Sequence, residues 1–125
     1  MSDGRQPFML ILTLREDLRD PARWTDAERQ AVGAHFEMLQ REAAAGNMLL
    51  AGRSDEYQAD GHMHPDVMGI GIFLANSREE AEKFIAADPA VVAGVMSVRL
   101  HKFNLAVHAD AATWTALSEQ DGSSR

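Results

Sequence analysis

Pro7-Phe8-Met9-Leu10-Ile11-Leu12-Thr13-Leu14 decides how this chain is built. Successive side chains of a strand point to opposite faces. Phe8, Leu10, Leu12 and Leu14 therefore share one face, and Met9, Ile11 and Thr13 share the other. Both faces are largely apolar, so this strand belongs in a sheet that is covered on both sides.

The stretch that follows, residues 15–23, is charged, holds Pro21 and reads as a loop. Thr25 with Glu28 three positions later is a capping-box start for a helix, and Trp24 just before it reads as a staple-like packing residue. Gly46 stops that helix. Its apolar stripe runs Val32, Phe36, Leu39 and Ala43, with His35 inside it. Residues 47–53 predict a second strand. Residues 54–66 are polar, contain Gly61 and Pro65, and predict an extended hairpin loop. Residues 67–75 predict a third strand in which Gly69 and Gly71 leave one side bare, open to close approach by a helix, a partner or a ligand. Ser77 with Glu80 starts a second helix, with Ala81, Phe84 and Ile85 on its inner face. It closes at Asp88-Pro89, because the residue before proline resists the helical region. In the fourth strand, residues 95–105, Met96, Val98 and Leu100 take one face and Ser97, Arg99, His101 and Phe103 the other. Residues 110–119 predict a short tail helix with Ala111, Trp114 and Leu117 in register, and Gln120 onward reads as disordered.

The order strand, helix, strand, strand, helix, strand is the ferredoxin-like βαββαβ pattern of an α+β sandwich. Residues 1–108 form that domain and residues 109–125 a C-terminal extension. Two helices cover one face of four strands. Met9, Ile11 and Phe103 on the other face need a second cover. A twin subunit supplies it in a homodimer; Trp114 and Leu117 folding back within one chain would supply it otherwise.

At 125 residues, one domain with one core is expected. No apolar run approaches the roughly 20 residues that span a bilayer, so no membrane insertion is expected. Met1-Ser2-Asp3-Gly4-Arg5-Gln6 does not look like a secretion signal. There are no cysteines, which excludes disulfides and thiolate zinc sites and fits a reducing, cytoplasmic setting. Lys plus Arg is 12 against 19 for Asp plus Glu, a net charge of −7. Without a Lys/Arg cluster, that balance argues against nucleic-acid or anionic-membrane partners. The seven methionines are scattered, as core fillers are. No phosphate loop, nucleophile elbow or dinucleotide fingerprint occurs, so no cofactor is expected.

His35 and Asp88 lie on the inner sides of neighbouring helices, where an imidazole and a carboxylate removed from bulk water can tune each other for acid/base work. Each also has a structural reading: a core histidine bonded to a backbone carbonyl, and a turn aspartate bonded to local amides. Ser97, Arg99 and His101 read either as a polar lining for an anionic or phenolic small molecule, or as interface and edge charges. His62 and His64, beside Asp60 and Asp66, carry donor types that bind zinc, but solvated loop histidines explain them, and no metal is expected.

The chain resembles the YCII-related family of small dimeric α+β barrels. The likeness runs from about Phe8 to Phe103. It is carried by Ala34-His35-Phe36-Glu37-Met38-Leu39 with Ala45-Gly46-Asn47-Met48-Leu49-Leu50-Ala51-Gly52, by Phe73-Leu74-Ala75-Asn76-Ser77-Arg78-Glu79-Glu80-Ala81, and by Ala87-Asp88-Pro89-Ala90-Val91-Val92-Ala93-Gly94-Val95. The resemblance implies a homodimer whose active-site residues fall on His35 and Asp88. It also implies a cofactor-free lyase or isomerase, of dehydrochlorinase type, acting on a small aromatic or lactone-like molecule. The alternative is a non-catalytic binding or interaction module with a structural His–Asp pair. This chain departs from the family in its longer loop with His62 and His64, in its C-terminal extension, and in lacking the Asp-Gly-Pro-Phe motif of a related subgroup.

Overall fold

The structure, a computed structural model, describes residues 4–120. β1 (Gln6–Leu14) forms as its alternation requires: Phe8, Leu10 and Leu12 are buried, while Met9 and Ile11 are only half-buried. It is a central strand, antiparallel to β3 (Gly69–Ala75) on one edge and to β4 (Met96–Lys102) on the other. β2 (Met48–Arg53) pairs with β3, giving the order β2-β3-β1-β4. With α1 (Asp26–Ala44) and α2 (Arg78–Ala86) between the strands, the chain is the expected α+β ferredoxin-like sandwich. It adds a short α3 (Pro89–Val92) and a tail helix α4 (Ala111–Gln120). The expected disorder beyond Gln120 lies outside the described residues; Gln120 itself closes α4.

The helix starts fall where the capping residues put them, with one change of partner. Thr25 donates its N–H and its hydroxyl to the Glu28 carboxylate, both at 2.6 Å. Ser77 Oγ accepts the Glu80 N–H at 3.1 Å, but the Glu80 carboxylate reaches back to Asn76 instead, accepting its N–H at 3.0 Å. Gly46 takes φ +82°, the left-handed conformation that ends α1.

The inner face of α1 differs from the expected stripe. His35 and Met38 are buried, and Ala31, Val32 and Leu39 are half-buried; Phe36 is 48 % exposed and Ala43 is exposed. The stripe is turned by about one residue, because α1 packs against α3 as well as β2, and α3 draws the His35 side inward. Residues 15–23 are not a plain loop either. They form two 3-10 turns, Glu16–Arg19 and Pro21–Arg23, and Leu18 there is fully buried with Ala90 and Val95. Trp24 packs on that cluster and donates its ring N–H to the Leu18 carbonyl at 2.7 Å.

The main core lies between the sheet and the helices. Phe8, Leu10, Leu12, Met48, Phe73, Ala75 and Ala81 form it, with Met96, Val98 and Leu100 of β4 against it. Gly69 and Gly71 face this side, opposite Leu12 and Leu10. A Cβ on Gly71 would lie 3.2 Å from Leu10 and 3.4 Å from the Met48 sulfur, so side chains of the flanking strands fill the bare strip.

The other face carries Leu50, Ile70, Ile72, Met9 and Ile11 in paired rows and ends on Ser97, Arg99 and His101. Ile72, between Met9 and Leu50, is 5 % exposed and Ile70 is 39 % exposed. α4 does not cover this face: residues 111–119 are exposed throughout. No helix among the described residues is long and apolar enough to cross a membrane.

Two outcomes follow from this packing. Gly71→Ala needs Leu10 to give by a few tenths of an ångström in a filled core and should cost about 1 kcal/mol. Gly33→Ala, on exposed helix with nothing within 4 Å of the added carbon, should instead stabilise by about 0.5–1 kcal/mol; paired thermal melts check both. The Thr25 side-chain bond, with its N–H, holds Glu28 below the ordinary 4.5, and the Asn76 N–H, with its amide, does the same for Glu80. A depressed folded value adds stability that is full above 4.5 and is lost as pH falls through the lower folded value. Amides of the first turns of α1 and α2 should therefore lose hydrogen-exchange protection on acidification below that range, before the sheet does.

Candidate active site

The central bond joins residues 53 positions apart. His35 Nδ1 lies 2.6 Å from Asp88 Oδ2, and the two residues are 7 % and 3 % exposed. α1 supplies the imidazole from its inward face. Asp88 comes from the break between α2 and α3, where Pro89 forbids a continuous helix. Its second oxygen, Oδ1, accepts the Ala90 N–H at 2.8 Å and so caps α3. Both roles foreseen for Asp88, turn residue and imidazole partner, are present together.

The bond pattern assigns the ring hydrogen. Each carboxylate oxygen accepts one hydrogen bond, from Ala90 N–H and from His35 Nδ1–H. That leaves Nε2 of a neutral ring as the lone-pair nitrogen. Nε2 has no hydrogen-bond partner, and among the described residues no enclosed side-chain nitrogen or oxygen lacks one. The His35 side chain is itself buried. An imidazole tethered through Nδ1 and unpartnered at Nε2 has one nitrogen left to take or give a proton.

The other three candidates are elsewhere. Met96, Val98 and Leu100 face the helices, so Ser97, Arg99 and His101 project from the opposite face, all exposed, across from Thr13, Ile11 and Met9. A single chain does not bring them to His35, because a strand sends neighbouring side chains to opposite sides. The loop histidines are held locally. His62 Nε2 lies 3.5 Å from Asp20 and its Nδ1 3.8 Å from Asp60, while His64 Nδ1 accepts the Asp66 N–H at 3.1 Å. Among the described residues no three His, Cys, Asp or Glu side chains gather as a metal-ligand set. Two surface hollows, of about 370 Å³ beside Asn47, Asn76 and Phe84 and about 510 Å³ beside Pro7, Phe103 and Leu105, border neither His35 nor Asp88.

With this geometry in place, the YCII-related domain family matches residues 8–104. The chain belongs to the YCII-related family. No curated protein matches it. Among solved structures it resembles the 5-chloro-2-hydroxyhydroquinone dehydrochlorinase of Burkholderia phenoliruptrix, determined in complex with 2,5-dihydroxybenzoquinone. The TM-score is 0.59 at 18 % identity, over 83 % of this chain and 99 % of that one. At that identity the likeness is one of fold.

For this YCII-related chain, the local amide expected to hold Asp88 is the Ala90 backbone N–H, which orients the carboxylate. Its signal was present in Asp88-Pro89-Ala90, where a short acidic side chain ahead of proline bonds the amide two residues on. Nitrogen-15 spectra of neutral His35 should show the hydrogen on Nδ1. Asp88→Asn should weaken that preference, and Asp88→Ala, which removes both the partner and the cap, should destabilise the fold by about 3 kcal/mol or more. A ring protonated on Nε2 at neutral charge would contradict the assignment.

Proposed function

We propose that this protein is a cofactor-free enzyme of the lyase or isomerase class, acting on a small hydroxylated aromatic or lactone-like molecule through His35 and Asp88. The 2.6 Å bond to Nδ1, with Nε2 unpartnered among the described residues, carries the reading. Nε2 takes a proton from the substrate and the ring becomes imidazolium. Asp88, held by Ala90 N–H, fixes the tautomer and stabilises that charge. In an elimination the electron pair of the broken C–H or O–H bond forms the new π bond, and the leaving group departs as an anion. The imidazolium then returns its proton to water. The fold likeness to a dehydrochlorinase supports looking first among chlorinated hydroxyhydroquinones, and the cysteine-free sequence supports a cytoplasmic setting.

We also propose that a second copy closes the open sheet face. The apolar rows through Met9, Ile11 and Ile70 support it, since Ile70 is 39 % exposed and Met9 and Ile11 are only half-buried. In that arrangement Ser97, Arg99 and His101 line the junction between copies, the interface role that their alternation allowed.

A purely structural pair is favoured by the burial of both groups and by the cap on α3. Chloride release or product absorbance from chlorinated hydroxyhydroquinones separates the two readings. Enzymatic turnover should fall by about a hundredfold or more in His35→Gln and in Asp88→Asn, while circular dichroism stays unchanged. Turnover at the parental rate in both folded variants removes the mechanism.

A further inference from the structure

The chain continues past the family domain, which ends at residue 104. The Phe103 N–H bond to the Pro7 carbonyl, at 3.1 Å, is the last tie from the backbone to the sheet among the described residues. Beyond it, every residue from Asn104 to Glu119 is exposed. Leu105 is 48 %, Val107 87 %, Trp114 45 % and Leu117 60 % exposed. Yet the segment is not shapeless. Asp110 accepts the Thr113 N–H at 2.9 Å and its hydroxyl at 2.8 Å, starting α4. A ten-residue helix is marginal in water unless an apolar side packs on something, and residues 111–119 of this one are all exposed among the described residues.

We infer that residues 106–120 are an arm that packs on a second copy of this chain, with Trp114 entering the hollow formed there by Gln6, Pro7, Lys102, Phe103, Asn104 and Leu105. The inference rests on the two-copy reading of the open sheet face. The hollow measures about 510 Å³ and sits at the root of the arm. The arm leaves from β4, the edge strand that borders that face. The five residues 106–110 span up to about 17 Å, and Trp114, the fourth residue of α4, lies about 6 Å further, enough to bridge the roughly 10 Å between facing sheets. Charge agrees with a self-partner. In an acidic chain, Arg99 on the open face of β4 has no ion pair among the described residues, and the arm carries Asp110 and Glu119. Lys102 at the mouth of the hollow also suits the face of an indole. A two-fold axis uses the same arm and the same hollow twice, so the contact closes.

Sedimentation velocity over a concentration series tests this on the full chain. The wild type should sediment as a dimer, and Trp114→Glu, at a position exposed within its own chain, should raise the dimer dissociation constant at least tenfold. In Trp24→Phe, Trp114 is the sole indole; its emission should be blue-shifted in the dimer and move red on dilution. A dimer of unchanged affinity in Trp114→Glu, or an indole that emits as in water within the dimer, overturns the arm and leaves the two-copy reading standing. A wild type that stays monomeric at every concentration overturns both.

Discussion

A strand that is apolar on both faces must be covered twice, and the helices of this chain cover it once. β1 is hydrogen-bonded along both edges, so its side chains have only the two faces to go to. Both helices that link its strands lie on one side, as right-handed connections between strands of one sheet require. The main core therefore forms on that side, around Phe8, Leu10 and Phe73. The rows through Met9, Ile11 and Ile70 are left on the other.

The same sidedness decides what shares a site. His35 and Asp88 come from the helical layer, and Ser97, Arg99 and His101 from the bare face of β4, with the thickness of the sheet between them. The pair depends on a broken helix. Had α2 run on through Asp88, its backbone would have been committed to helical bonding; Pro89 prevents that, and the carboxylate is free to span Ala90 N–H and His35. Removing an imidazole and a carboxylate from water is costly unless each is paired and hydrogen-bonded. Here the cap on α3 and the bond to Nδ1 meet that condition together, so a structural and a chemical role reside in the same atoms.

Much of this was legible from local chemistry. The strand alternation, the Thr25–Glu28 and Ser77–Glu80 starts and the Gly46 stop each need only a few neighbouring residues. The orientation of α1 was less legible. Val32, Phe36 and Leu39 make as good a stripe on paper as Ala31, His35 and Met38, since a helix advances about 100° per residue and an error of one position leaves most of the pattern intact. Leu18 is a similar case: one leucine in a charged stretch carries almost no periodic signal, yet it is fully buried.

Sequence by itself determined the element order, the sheet and the candidates His35 and Asp88, because period, caps and proline act within a few residues along the chain. Tertiary structure alone decided that His35 and Asp88 meet at 2.6 Å, that Phe36 turns outward, and that Arg99 and His101 stand across the sheet from the pair. Those are relations between segments far apart in sequence, set by which faces of α1, α3 and β1 can be packed at the same time.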